Sequence, residues 1–296
     1  MRGFGKRGTT RVLVAGLVLV LAATACGSSS GGSDAATTGS NGSSTSCKVA
    51  DLKLKTAGKL TVGTDSPAYP PWFEDDKPAN GKGFESAVAY AIAGKLGFAQ
   101  ADVVWKKDPF DNVIKPGAKD FDFDVNQVSI SPDRAKVVDF STGYYDVNQA
   151  VAGFKDSAAT KAKKVSDLKS LKLGAQIGTT SLDYIEKVIK PTQKPFVYND
   201  NNAAKAALNA KQIDAVVLDL PTALYVTAAE IPNTVVIGQL PTTGTTPEQF
   251  GAVFQKGNSL KTCVDQALAA LKSDGTLAKI KDQYLSTAVA PTLADG

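Results

Sequence analysis

The stretch VSISPDRAKVVDFS, residues 128–141, decides how the rest of the chain is read. A short apolar strand ending at Val128 runs into Ser129, Ile130, Ser131, Pro132 and Asp133. It then delivers Arg134 where a helical turn can begin. Hydroxyls and free backbone N–H groups at a helix start favour negative charge, and a guanidinium adds a planar fork suited to a carboxylate. The same residues also suit a plain helix start with Arg134 as a solvated surface charge. The choice between the two rests on what the chain brings to this point.

Outward from that stretch, strand and helix patterns alternate. Residues 59–64 read as a strand with Leu60 and Val62 facing in, and Phe84, Ala87, Val88, Ala91, Ile92 and Leu96 recur at the helical period. Residues 103–105 form a second strand, and Phe121, Phe123 and Val125 alternate along a third. Further on, a strand at 171–175 precedes a helix at 181–190 that stops at Pro191; an alanine-rich helix at 202–210 and strands at 213–218 and 234–237 follow. Such alternation implies parallel sheets covered by helices, an α/β architecture.

The N-terminal end has a different character. Arg2, Lys6, Arg7 and Arg11 precede an apolar run at 12–21 that is too short to span a bilayer, and small residues lead to Cys26: a secretory signal at 1–25. Ala23-Thr24-Ala25-Cys26 resembles the lipobox of bacterial lipoproteins, with Ala23 where leucine is usual, so Cys26 is expected to carry lipid; the alternative is a secreted or periplasmic protein cut after Ala25. Residues 26–46 are rich in Gly, Ser and Thr, a tether with a mean reach on the order of 25 Å. The formal charge of +4 leaves with the four basic residues of the signal, so no basic stripe remains for nucleic acid. The chain has no histidine, which removes Ser-His triads and His metal ligands from consideration, and no cofactor or metal is expected.

Two cysteines remain after Cys26. Cys47 and Cys263 are exported together, which favours a disulfide, although two small buried thiols would also fit the apolar face that Cys263 shares with Leu260, Val264, Ala267, Leu268 and Leu271. A folded part of 250 residues exceeds what one core usually serves, so two lobes are expected. Ligands in open α/β sheets sit beyond the carboxyl ends of the strands. There stand Asp65 and Tyr69, then Phe110, then Gln127, Ser129 and Arg134, then Gln176 and Gly178-Thr179-Thr180, and finally Asp219. Each alone has a plainer reading as core aromatic, capped turn or helix cap; together they supply a cation, carboxylates, hydroxyls and aromatic faces, a set suited to a zwitterion.

The segments KLTVGTDSPAYPPW, GKGFESAVAYAIAGKLG, SISPDRAKVVDFSTGYY, KLGAQIGTTS, IDAVVLD and DGTLAKIKDQY resemble, in order, those of the amino-acid-binding proteins of bacterial ABC importers, family 3 of the extracellular solute-binding proteins. The resemblance implies a type II periplasmic-binding-protein-like fold: two lobes, each a mainly parallel sheet flanked by helices, joined by two crossover strands near 150–154 and 250–254. Lobe 1 would comprise 47–151 and 251–296, and lobe 2 would comprise 152–250.

The resemblance also implies roles. Arg134 would grip the ligand α-carboxylate, helped by Ser129 and the Gly178-Thr179-Thr180 turn, and Asp219 would receive the α-ammonium. Tyr69 and Phe110 would be aromatic walls, with Trp72 where the family often has Phe. Asp65, Gln127 and Gln176 would meet the ligand side chain. With no second cation at these positions, a free polar L-amino acid of the glutamine or cationic kind is expected rather than glutamate. The implied protein is a monomer held by lipid on the outer face of the cell membrane, delivering its ligand to an ABC permease. A secreted enzyme on the same fold, of the cyclohexadienyl dehydratase kind, is the alternative; a sensor domain would need a membrane helix after residue 285, where a short polar tail stands instead.

Overall fold

The computed structural model describes residues 46–295. The signal at 1–25, Cys26 and all but the last residue of the tether lie outside the described residues. The chain begins with β1 (Leu60–Thr64), α1 (Phe84–Leu96), β2 (Val103–Lys107), α2 (Phe110–Val113), β3 (Phe123–Asp124), α3 (Pro132–Ala135) and β4 (Val138–Phe140). It crosses at β5 (Tyr145–Val147) and continues through β6 (Gln149–Phe154), β7 (Leu173–Gln176), α4 (Thr180–Tyr184), β8 (Phe196–Tyr198), α5 (Asn201–Asn209), β9 (Ala215–Asp219), α6 (Leu220–Tyr225) and β10 (Thr234–Gln239). It returns at β11 (Glu248–Phe250) and closes with β12 (Val253–Gln255), α7 (Leu260–Ser273) and α8 (Thr276–Tyr284).

These strands build two five-stranded sheets, ordered β2-β1-β3-β12-β4 and β10-β6-β9-β7-β8, and a two-stranded ribbon of β5 with β11. The alternating pattern read from the sequence yields parallel pairs, β1 with β2 and β3, and β7 with β8 and β9. The antiparallel members are the strands that follow a crossing: β6 against β9 and β10, and β12 against β3 and β4. A strand arriving from the other lobe enters its sheet from the opposite end, so each sheet is mixed.

The ribbon is the hinge. Tyr145 pairs with Phe250, and Val147 with Glu248. The first crossing therefore falls on β5, ahead of the 150–154 expected, because β6 already belongs to the second sheet. The stretch at 128–130 docks on the ribbon: Ile130 N donates to Gln249 O at 2.8 Å and Gly251 N to Val128 O at 3.1 Å. At Gly251 a Cβ would meet Ile130 Cγ1 at 2.8 Å, so the docking needs glycine there.

The first lobe packs α1, α7 and α8 on Leu60, Val62, Phe123 and Phe254. Its helix α1 starts at Gly83, where φ is +92° and a Cβ would lie 2.4 Å from Trp72 O. Cys47 and Cys263 form a disulfide with Cα atoms 5.4 Å apart, tying the start of the described chain to α7 of this lobe. The second lobe has two smaller apolar layers, one on each face of its sheet.

The C-terminal tail corrects the expected division. The expected lobe 1 includes all of 251–296, but beyond Leu285 the chain leaves that lobe and pairs with the second. Gln239 N donates to Pro291 O at 2.8 Å and Val165 N to Ala294 O at 2.9 Å. The cause is apolar burial: Leu293 is buried over Gly238, where a Cβ would meet Leu293 Cγ at 2.8 Å.

The disulfide closes a loop with a sequence separation of 216. Replacing both Cys47 and Cys263 by serine is expected to destabilise the protein by about 2–5 kcal/mol in urea unfolding. An unchanged urea midpoint at equal slope would contradict this.

Candidate functional site

The sheets of the two lobes point their carboxyl ends at one cavity. From the first lobe it is lined by Asp65, Tyr69, Phe110, Asn126, Gln127, Ser129 and Arg134. From the second come Gln149, Gln176, Thr179, Thr180, Ser181, Asn201, Leu218 and Asp219, and Phe250 of the hinge also lines it. Ten of the residues singled out from the sequence thus line one cavity; Gly178 and Trp72 do not.

Arg134 sits where the sequence places it, on a single helical turn capped by Ser131, whose Oγ accepts from Arg134 N at 3.2 Å. Its Nη1 donates to Ser129 O and its Nη2 to Gly178 O, both at 2.7 Å. The guanidinium carbon lies 5.5 Å from the centre of the Phe110 ring. The side chain therefore spans the cleft, bonded to one carbonyl on each lobe, with its other N–H groups available. Gly178, with φ of +74°, contributes this carbonyl from outside the cavity wall. Thr179 caps α4, its Oγ1 accepting from Leu182 N at 3.2 Å.

Asp219 ends β9 and caps α6. Thr222 N donates to its Oδ1 at 2.9 Å, and the Thr222 hydroxyl donates to its Oδ2 at 2.7 Å. Burial raises its pKa to about 6, opposed by these two bonds. The plainer reading, a helix cap before Pro221, is therefore also true of it, and the capped carboxyl still borders the cavity. Asp65, at the end of β1, is likewise raised to about 6 by burial against the bond from Ser66 N. Tyr69 is buried, and Lys205 Nζ of the second lobe lies 5.0 Å over its ring.

Two departures matter chemically. Trp72, expected beside the aromatic walls, is fully buried outside the cavity, packed in the core of the first lobe against Phe84, Tyr145 and Phe250. Gln127, expected to meet the ligand side chain, lines the cavity but is turned toward Glu85. At φ of +48° its N donates to Glu85 Oε1 at 2.7 Å, and its side-chain amide donates to Glu85 Oε2. The Tyr144 hydroxyl donates to Glu85 as well, yet burial still lifts Glu85 to about 7.

The sequence reading missed Glu248, Gln149 and Asn126. Glu248 takes hydroxyl bonds from both lobes on one oxygen, from Ser129 and, at 2.7 Å, from Thr180. Gln149 Nε2 adds a bond at 3.1 Å. A hydroxyl has a single proton, so Ser129 and Thr180 present only lone pairs to the cavity and suit an N–H donor there. Glu248 lies on the returning crossover strand, and an expected return at 250–254 put it just out of view. Asn126 shares a strand face with Asp122 and Asp124, a period-two pattern that was available to find it.

A cleft between two α/β lobes on a two-stranded hinge, with a cation and an acid facing each other across it, defines a solute-binding protein of the type II periplasmic-binding fold. The chain belongs to the bacterial extracellular solute-binding proteins, family 3, whose profile matches residues 60–287. It is a binding protein and not an enzyme. It is 32% identical over 237 residues to the ABC transporter arginine-binding protein 1 of Escherichia coli, covering 77% of this chain and 91% of that one. With the L-cystine-binding protein TcyJ of the same organism it shares 28% identity over 239 residues, 80% and 86% of the two chains. Among solved structures, an ancestral arginine-binding protein bound to glutamine superposes with a TM-score of 0.66 at 33% identity, over 77% of this chain and 98% of that one.

Asp65, Glu85 and Asp219 all have pKa values raised by the fold. A raised acid stabilises the native state below its unfolded pKa and loses that contribution as pH rises through the folded value. The ligand-free protein should therefore melt higher at pH 5 than at pH 8, and Glu85→Gln should flatten the slope. Melting temperatures that rise across that range would refute the assignment.

Proposed function

We propose that the protein captures a free polar L-amino acid, glutamine-like or cationic, by closure of the two lobes and presents it to an ABC permease. The observation that carries this reading is the pairing of Arg134 on the first lobe with Asp219 on the second across one cavity. A buried zwitterion is tolerated only when both charges find partners. Arg134 takes the α-carboxylate with its remaining N–H groups, and Asp219 takes the α-ammonium, assisted by the lone pairs of the Ser129 and Thr180 hydroxyls. Tyr69 and Phe110 flank the aliphatic part, while Asp65, Asn126 and Gln176 meet the distal end.

The excess of acid around the cavity supports the side-chain class. Asp65 and Asp219 line the cavity with Arg134 as the one cation among its lining residues, an arrangement that disfavours a second ligand carboxylate. Relatives named for arginine and cystine, and a neighbour holding glutamine, agree with a polar ligand. Export through the signal at 1–25 and lipid on Cys26 would hold the domain, as a monomer, on the outer face of the membrane; among the described residues no helix is long and apolar enough to cross one.

A melting screen with the twenty amino acids should single out glutamine, arginine or a close relative, since ligand at 100 times its dissociation constant stabilises by about 2.7 kcal/mol. Tight binding of glutamate, with none of glutamine, arginine, lysine or histidine, would overturn the side-chain class. Arg134→Ala is expected to weaken binding by about 2–5 kcal/mol in calorimetry. Parental affinity in that variant would remove Arg134 from the site.

A further inference from the structure

Trp72 lies outside the cavity, yet it is bonded to the acid that borders it. Its indole Nε1 donates to Thr222 Oγ1 at 2.8 Å, and Thr222 Oγ1 donates to Asp219 Oδ2 at 2.7 Å. The direction of this chain is forced. An indole N–H can only donate, so the Thr222 oxygen accepts from it and its one proton is left for Asp219. The link also joins the lobes, because Trp72 belongs to the first and Thr222 and Asp219 to the second.

The indole has little freedom to deliver that bond elsewhere. It is fully buried and meets Phe84 of α1, Tyr145 of β5 and Phe250 of β11 edge-on, with ring centres 5.8, 5.7 and 5.4 Å away. Two of these three rings are on the hinge strands. A threonine in a helix, by contrast, has two accessible rotamers, one of which turns its hydroxyl toward a backbone carbonyl. The donor from Trp72 favours the rotamer that serves Asp219, and it comes from the opposite lobe.

We propose that Trp72 is a positioning residue for ligand capture: across the closed lobes it orients the Thr222 hydroxyl onto Asp219, so that the acid is held ready for an ammonium only when the lobes have met. The inference rests on the reading of Asp219 as the ammonium acceptor. It assigns Trp72 a task distinct from the aromatic wall that the sequence suggested. Trp72 touches no cavity surface; it reaches the cavity through Asp219 and through the Phe250 ring, and only the path through Asp219 carries an effect that changes with pH.

The test is calorimetric titration of L-glutamine and L-arginine from pH 5.5 to 8.5 into the parent protein and Trp72→Phe, Thr222→Val and Thr222→Ser variants. Loss of a hydrogen bond to the ionised carboxylate raises the pKa of Asp219, which moves the acid limb of binding upward. Trp72→Phe and Thr222→Val should bind about tenfold more weakly near pH 6.5 and converge on the parent toward pH 8.5, while Thr222→Ser follows the parent throughout. A weakening equal at every pH, or a Trp72→Phe profile superimposed on the parent, would overturn the proposal. If Trp72→Phe does not fold, the benzothiophene analogue of tryptophan, placed at 72 in a Trp105→Phe background, keeps the ring and lacks the N–H. Asp219→Asn separates the two ideas: parental binding there rejects Asp219 as acceptor, whereas lost binding alongside parental Trp72 and Thr222 profiles rejects the relay alone. If neither amino acid binds the parent, the ligand reading falls and the relay falls with it.

Discussion

A guanidinium leaves water only where its N–H groups find acceptors, and those of Arg134 find one on each lobe. Ser129 O, on its own lobe, and Gly178 O, across the cleft, both accept from it at 2.7 Å. Much of the local architecture follows from that need. The single turn capped by Ser131 aims the side chain at the cleft, Phe110 covers one face of the guanidinium, and Gly178, with its positive φ, turns a carbonyl toward it. The anchor for a ligand carboxylate is thus also a strut between the lobes.

The other bonds across the cleft are polar as well. Ser129 and Thr180 meet on Glu248, and Trp72 reaches Thr222. Water can replace each of them when the lobes part, so each is worth only about 1–3 kcal/mol net, the bonds to the Glu248 carboxylate at the upper end. An apolar interface of the same extent would hold the lobes shut, since its separation exposes surface at roughly 25 cal/mol per Å². Polar contacts that differ little in free energy between open and closed forms leave the decision to the ligand, which is what a capture device needs.

How much of this was legible in sequence depended on whether the cause was local. Parallel strands, the helix at Phe84–Leu96 and the residues at strand ends follow from periodicity and from the rule that ligands gather beyond carboxyl ends, and ten of the site residues came from it. Most of the misses depend on residues distant in the chain. The resemblance places Trp72 at the ligand, where the family often has Phe, but the indole packs against Tyr145 and Phe250, far along the chain. Glu248 gains its meaning from hydroxyls on two lobes, and Asp219 shows as a cap before it shows as a cavity acid. The tail beyond residue 285 carries almost no pattern, and the feature that places it is the bare backbone of Gly238 opposite Leu293.

That tail constrains the motion on which capture depends. With it the lobes have three covalent connections: β5, β11 and the segment from Leu285, buried in the first core, to Pro291, whose carbonyl is bonded to Gln239 of the second sheet. The link between those anchors includes four consecutive exposed residues, 286–289. Six residue steps separate Leu285 from Pro291, and at about 3.4 Å each they span roughly 20 Å when fully extended. A rotation that keeps Leu285 and Pro291 within that reach leaves the tail docked on Gly238, and a wider one must lift Leu293 from its pocket and expose its apolar surface. The link thus limits how far Leu285 and Pro291 can separate while both stay docked.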